Sequence, residues 1–321
     1  MFFQREFRLR RQKETMKLFQ GTTDFLIREE TALAIGKFDG LHRGHEYLLH
    51  ALLQKKAEGL SAAIFTFETP PGNAGQKVLS TNREKCDLFE RAGIDVTILC
   101  PFDETIRRMR PEAFLQMLRE KANIRCVIAG KDCTFGYRKE GNAKVLQDLG
   151  EKLSFETRIV EKLQHEGRDI SSTYIRETVS LGEMEKARNL LGYPYFVSGK
   201  VRHGNQIGRR IGIPTMNLIP EPEKLLPPNG VYVTNTVINE ETFPGVSNVG
   251  VKPTVEGNAP VSVETHLFSF EGENYGEEIK TEFLSFLRPE KRFADLTALQ
   301  EAMRADIEKA KCTCDFIAGH F

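Results

Sequence analysis

The residues best suited to chemistry stand in one short run, Ile35-Gly36-Lys37-Phe38-Asp39-Gly40-Leu41-His42-Arg43-Gly44-His45. Glycines before and between the paired imidazoles let bare backbone approach a ligand closely. If a helix opens here, its free N–H groups and positive dipole end attract phosphate. Imidazoles held there can donate hydrogen bonds to oxygens whose charge grows during phosphoryl or nucleotidyl transfer. The chain has only 7 His and 26 Gly in 321 residues, so chance is a poor account of H-x-G-H. A pair of surface histidines in a helix cap is the plain alternative. Zinc is disfavoured, because no third ligand of suitable spacing is near.

A second run, Ile170-Ser171-Ser172-Thr173-Tyr174-Ile175-Arg176, places hydroxyls at a helix start and an Arg one turn on. This is either a simple cap with a solvated Arg or a phosphate clamp built from hydroxyls, backbone N–H groups and a guanidinium. A third stretch, from Gly199 to Asn217, is glycine-dense and basic, with Gly204, Gly208, Arg209 and Gly212 in its middle. It is a turn-rich loop at least, and small residues with positive charge suit a cover for ATP phosphates. Thr215 and Asn217 flank Met216, so on an extended strand both side chains point the same way and suit a hard cation such as Mg²⁺. In Val261–Phe268 alternation puts Ser262, Glu264, His266 and Phe268 on one face. Taken alone, Glu264 is a carboxylate on a wet strand face.

These runs need elements to hold them. Ala32–Phe38, Ala62–Phe67, Val96–Leu99 and Cys126–Ala129 read as buried strands, and His45–Glu58, Arg83–Ala92, Pro111–Lys121 and Ala143–Leu149 as helices. Pro111 suits a first helical position, and Asn82 is the expected cap of the helix after it. Such alternation argues for a parallel sheet with helices on both faces and ligands beyond its carboxyl ends. Ser172–Leu181 and Met184–Leu191 read as helices closed by Gly192 and Pro194. From Tyr195 the texture becomes β-rich (Phe196–Val201, Val231–Val237, Val261–Phe270, Ile279–Leu287), as in a small antiparallel barrel, with a late helix over Leu296–Lys311. The domain boundary is expected near residues 185–194.

Lys+Arg and Asp+Glu both total 45, so no net field draws the molecule to nucleic acid, and no apolar run approaches the length of a membrane span. Residues 1–15 are basic and read as a disordered, solvated extension; a nucleic-acid arm, or an upstream start codon ahead of a natural Met16, are the other readings. Without an apolar stretch after those basic residues no signal peptide is expected, and a cytoplasmic chain with six free thiols is the expectation.

Taken together, G-x-F-D-G-x-H-x-G-H at 36–45 and I-S-S-T-x-I-R at 170–176 resemble the adenylyltransferase module of the bacterial bifunctional riboflavin kinase/FMN adenylyltransferase (FAD synthetase) family. The likeness continues through Gly212-Ile213-Pro214-Thr215-Met216-Asn217, Gly230-Val231-Tyr232, Asn248-Val249-Gly250 with Pro253-Thr254, Val263-Glu264-Thr265, Tyr275-Gly276 and Phe286-Leu287-Arg288. The resemblance implies an α/β chain: a doubly wound parallel sheet of the HxGH nucleotidyltransferase type over 16–190, and a six-stranded antiparallel β-barrel with a terminal helix over 191–321. Riboflavin, FMN and ATP are the implied substrates, with Mg²⁺ as cofactor. His42 and His45 would stabilise the transition state at the α-phosphorus, and Ser172 and Arg176 the departing pyrophosphate. Gly36, Phe38, Asp39, Gly44, Ser171 and Thr173 complete that nucleotide site. In the second domain Thr215 and Asn217 would hold the metal, Glu264 would serve as base, and the loop with Gly204, Gly208, Arg209 and Gly212 would cover ATP. Asp132, Phe135 and Arg288 would meet flavin.

Three positions depart from the family pattern. Pro70 stands where a His is usual, and in Gly130-Lys131-Asp132-Cys133-Thr134-Phe135-Gly136 Lys131 reverses the usual charge and Cys133 removes an aromatic. They leave open a riboflavin kinase whose first domain adenylylates weakly or not at all. A non-catalytic flavin- or RNA-binding regulator is the remoter alternative.

Overall fold

The computed structural model of the chain describes residues 15–69, 77–203, 207–251, 261–270, 272 and 274–318. Residues 1–14, Pro70, Gly204 and the Pro253-Thr254 pair lie outside the described residues. Two units emerge, one of Met1–Pro70 with Ser80–Ser172, the other of Pro71–Leu79 with Thr173–Phe321.

In the first unit the apolar runs become β2 (Thr31–Ile35), β3 (Ser61–Phe67), β4 (Val96–Cys100) and β5 (Ile124–Gly130), with β1 (Lys17–Gln20) and β6 (Glu156–Val160) added. They form a parallel sheet in the order β1-β4-β3-β2-β5-β6. The inner strands are buried almost without a break, because helices cover both faces. Those helices are α1 (Glu46–Ala57), α2 (Asn82–Arg91), α3 (Glu104–Arg108), α4 (Pro111–Ala122) and α5 (Ala143–Leu153). Polar β1 (KLFQ) and β6 (ETRIV) are the two edges, where exposure removes the need for an apolar run, so periodicity missed them. Strand order runs outward from β2 through β3 and β4 on one side, and through β5 and β6 on the other. The switch point therefore lies between β2 and β5, where this architecture places its ligands.

Two local expectations are refined. Pro111 opens α4 as expected, but the cap of α2 is Thr81, in a full capping box with Glu84. Asn82 instead clasps the loop after β3: its Oδ1 accepts from Thr69 N–H at 2.8 Å and its Nδ2 donates to the Thr69 carbonyl at 2.9 Å. A small hairpin, β7 (Gln164–His165) with β8 (Arg168–Asp169), then leads into α6 (Ser172–Ser180), and the division between the units falls after its first residue.

The second unit continues with α7 (Met184–Leu191), closed by Gly192 at φ 88°. β9 (Tyr195–Arg202), the short α8 (Ile207–Arg210), β10 (Met216–Leu218), β11 (Gly230–Ile238), β12 (Glu241–Val251), β13 (Val261–Leu267) and β14 (Glu278–Pro289) follow. The strands close into an antiparallel barrel in the order β10-β13-β12-β11-β14-β9. β12 escaped sequence reading because Pro244, Gly245 and Gly250 interrupt its apolar pattern. Inside the barrel a chain of buried hydroxyls joins Thr234, Ser247 and Thr265 at 2.8 and 2.7 Å. Outside it, α9 (Leu296–Ala318) lays Ile307 and Ala310 against Val231, Val233, Val246 and Leu284.

One segment of the second unit comes from far upstream. Val78 forms a parallel bridge with Lys224, its N–H donating to the Glu223 carbonyl at 2.9 Å and its carbonyl accepting from Leu225 N–H at 2.8 Å. The Lys224 ammonium, buried over the Tyr195 ring, donates to the Leu79 carbonyl at 2.6 Å. No helix among the described residues is long and apolar enough to cross a membrane.

Candidate active sites

The H-x-G-H run leaves β2 at the switch point. Phe38 and Leu41 take left-handed backbone, φ 46° and 34°, yet both side chains are buried in the core. Their burial holds a loop conformation that would otherwise cost one to a few kcal/mol per residue (~1–3). A 3-10 turn, Arg43–His45, then opens α1, and His45 N–H donates to the His42 carbonyl at 2.8 Å. The two imidazoles stack with centroids 4.0 Å apart and planes 25° from parallel. Phe38 backs the pair, its ring 5.1 Å from that of His45. Gly44 is required between them, since a Cβ there would stand 2.4 Å from the Ile170 carbonyl and 2.8 Å from His42 Nδ1.

Asp39 is the other organiser. Its Oδ1 accepts from Ser80 N–H at 3.0 Å, and its carbonyl accepts from the Ser172 hydroxyl at 2.8 Å. Ser172 is thereby fixed beside a loop 133 residues earlier in sequence. Ser171 is half-buried and Thr173 exposed. Arg176 is counted with the second unit, where its Nε donates to the Lys77 carbonyl at 3.1 Å.

Burial pushes the His45 imidazole down to about 4, against the opposing pull of Asp132 and the hydrogen bond with His42. At neutral pH it is therefore uncharged, with one N–H to donate, and its Nδ1 is buried without a hydrogen-bond partner.

Beyond β5, Asp132 pairs with Lys162 at 2.7 Å and Lys131 with Glu161. The charge reversed at Lys131 is thus offset by a carboxylate at the end of the neighbouring strand. Gly130 pairs with Val160 in the ladder, so the two ion pairs simply continue the β5–β6 register. Sequence reading missed Glu161 and Lys162; the complementary dipeptides Lys131-Asp132 and Glu161-Lys162 were the available signal. Phe135, expected beside flavin, lies in the core, its ring 6.1 Å from that of Phe114.

On the barrel, Glu264 stands directly across the ladder from Asn217 of β10 and from Asn248 of β12. Thr265 next to it turns inward to Ser247, so the Asn217–Glu264–Asn248 row occupies the opposite, outer face. Asn217 is buried, and its Oδ1 has no hydrogen-bond partner. Thr215, one residue before β10, lines a pocket of about 90 Å³ with Arg209, Pro214, Met216, His266 and Tyr275. Tyr275 stacks on His203 at 3.7 Å and receives the Arg209 guanidinium at 3.5 Å. Gly212 takes φ 73°. Arg288, expected at the flavin, is bound to Asp306 of α9 through Nε at 2.9 Å and Nη2 at 2.6 Å.

Gly208 fixes how closely this loop covers Thr215. A Cβ there would meet the Ile213 carbonyl at 2.3 Å and the Thr215 hydroxyl at 3.3 Å. Backbone cannot yield as a flexible side chain does. A Gly208→Ala chain should therefore lose about 10²-fold in any turnover that depends on this loop, through misplacement, as initial rates would show.

Comparison with known proteins agrees with this two-site layout. The FAD synthetase family model matches residues 25–174, and the riboflavin kinase model matches 191–314. The bifunctional riboflavin kinase/FMN adenylyltransferase of Bacillus subtilis (strain 168) is 35% identical over 298 residues, covering 89% of this chain and 94% of that protein. The Haemophilus influenzae protein of the same description is 35% identical over 288 residues, covering 87% of this chain and 93% of its own. A crystal structure described as a macrolide-efflux protein from Streptococcus pneumoniae superposes with a TM-score of 0.79 at 27% identity, over 91% of this chain and 97% of that one. With both halves matched in order and the relatives covered almost end to end, the chain belongs to the bifunctional riboflavin kinase/FMN adenylyltransferase family.

Proposed function

We propose that the chain converts riboflavin to FAD in two ATP-dependent steps carried out at the two sites described. The observation that carries this reading is the presence of both family domains in one chain, each with an ordered polar site: the stacked His42–His45 pair and the Asn217–Glu264–Asn248 row. The adenylyl step is assigned to the domain within 16–190 and the phosphorylation to that within 191–321.

In the first step the riboflavin 5′-hydroxyl attacks the γ-phosphorus of ATP, the bond to the β-phosphate oxygen breaks, and ADP leaves with FMN formed. Glu264 accepts the hydroxyl proton. Thr215 and Asn217 fit Mg²⁺, since the buried Asn217 Oδ1 has no donor in contact and a neutral oxygen suits a hard cation. Bound there with ATP, the ion supplies charge neutralisation for the phosphates. Arg209 and the loop around Gly208 close over the nucleotide, and Arg288, tied to Asp306, keeps α9 beside the flavin end of β14.

In the second step an FMN phosphate oxygen attacks the α-phosphorus of a second ATP and pyrophosphate departs. No enzyme-bound intermediate is needed, because the nucleophile is already an anion. His42 and His45 donate to oxygens of the reacting phosphates, Gly44 and Gly36 admit the nucleotide, and Ser172 and Arg176 steady the leaving pyrophosphate. The case for a kinase with a silent first domain rested on Pro70 and Lys131. The Lys131–Glu161 pair weakens that case, because the reversed charge is neutralised where it stands. Each step consumes ATP, and we place the enzyme in the cytoplasm with that supply.

An incubation with riboflavin, ATP and Mg²⁺, sampled over time by chromatography, tests the reading. FMN should rise first and FAD after it. FMN that accumulates without FAD, even when FMN and excess ATP are supplied directly, would sink the second step.

A further inference from the structure

We propose that Lys162 is a positioning residue of the adenylyl-transfer site: it bridges Asp132 and Asp169, tying the loop after β5 to the hairpin that delivers Ser172, and sets the charge beside the imidazole pair. The inference rests on the reading of that site given above and adds a residue that neither the motifs nor the family comparison assigns.

The geometry comes first. Lys162 Nζ lies 2.7 Å from Asp132 and 3.7 Å from Asp169. Its side chain is 25% exposed, less than either carboxylate, at 61% and 42%. The ammonium is thus the sheltered centre of the bridge. Gln164 Nε2 also donates to Asp169 at 2.8 Å, fixing that carboxylate from its own hairpin. From Asp169 the chain runs directly into the site: the Ile170 carbonyl lies against Gly44, and the Ser172 hydroxyl donates to Asp39. The neighbouring Lys131–Glu161 pair differs, with side chains 53% and 72% exposed. An exposed pair of this kind contributes little.

The charge argument is independent. Among the described residues, the groups around His45 are His42, Arg43 and Glu46 on its own turn and helix, Asp132 after β5, and Lys162 after β6. Arg43 and Glu46 pair with each other at 3.2 Å. After burial, the charged influences on His45 are Asp132, which raises its affinity for a proton, and Lys162, which lowers it. Removing Lys162 deletes one influence and unmasks the other, and both changes favour the imidazolium. Burial holds His45 neutral, and Lys162 adds to that bias by opposing the pull of Asp132.

The test uses the full chain carrying Lys162→Met, with Lys162→Arg and Glu161→Gln beside it. His45 titration would be followed by NMR of the imidazole, assigned with His45→Gln. Its midpoint should rise from about 4 by roughly one pH unit in Lys162→Met, since one opposing charge is lost and that of Asp132 is unmasked. Lys162→Arg should restore it, and Glu161→Gln should leave it in place. FAD formation from FMN should slow about tenfold in Lys162→Met, with riboflavin phosphorylation within twofold of the parent. An unmoved midpoint, or an equal shift in Glu161→Gln, would overturn the proposal. Absence of FAD from the parent chain would instead strike the adenylyl reading, while the titration would still report on Lys162.

Discussion

Replacing His45 with alanine should slow FAD formation from FMN by roughly 10²–10³-fold while riboflavin phosphorylation continues at nearly the parent rate. The size follows from where the ring stands. It is held at a helix opening, stacked on His42, backed by Phe38 and kept neutral by burial. A donor already fixed in place costs little reorganisation as charge grows on the phosphate oxygens, and water entering an alanine cavity cannot reproduce that. The loss should fall on turnover more than on apparent ATP affinity, because the hydrogen bond is worth most when the α-phosphorus is five-coordinate. Pyrophosphate release with saturating FMN measures it directly. Should the folded variant lose both activities, the assignment of two separate sites would be wrong.

Glu264→Ala should give the opposite pattern. Loss of a general base removes typically 10²–10⁴-fold, so ADP release with riboflavin should fall by about that range while supplied FMN is still adenylylated. The ladder explains why no neighbour takes over. Asn217 and Asn248, directly opposite Glu264 on either side, are amides and cannot accept a proton at neutral pH. His266, two residues along the same face, is held by its Nδ1 contact with the Pro214 carbonyl at 2.8 Å and does not stand opposite Asn217 and Asn248 in the ladder. Glu264→Gln keeps the shape of the row and should be as slow as alanine if proton acceptance is the role. Near-parent turnover in the glutamine variant would point to a carboxylate used only for packing or orientation.

Much of this was legible in the chain. The inner strands of the sheet announced themselves as apolar runs because burial on both faces demands it, and the paired histidines sat at the end of one of them. Alternation in Val261–Phe268 placed Glu264 opposite Thr265, and the barrel keeps that division. Other features were hidden for physical reasons. Polar edge strands β1 and β6 carry no hydrophobic period, and β12 breaks its own with Pro244 and two glycines. Thr81 and Asn82 are both good caps, and only the tertiary clasp on Thr69 decides between them. The pairing of Arg288 with Asp306 joins residues 18 apart, and no local pattern encodes it. The alignment of Asn217, Glu264 and Asn248 depends on strand register, which appears only once the barrel closes.

The Lys77–Leu79 segment has a consequence for how the protein is made. It leaves the ribosome early, yet its partner Lys224 follows 145 residues later. At typical synthesis rates of 5–20 residues per second, that interval is roughly 7–30 s. For all of that time the backbone groups of Val78 and Leu79 have only water or a chaperone to satisfy them. The parallel sheet can be laid down as its strands emerge, but the barrel unit must reach back for a piece synthesised long before it. Translation speed between residues 80 and 225 thus becomes a variable in the assembly of this enzyme, separate from the stability of either finished unit.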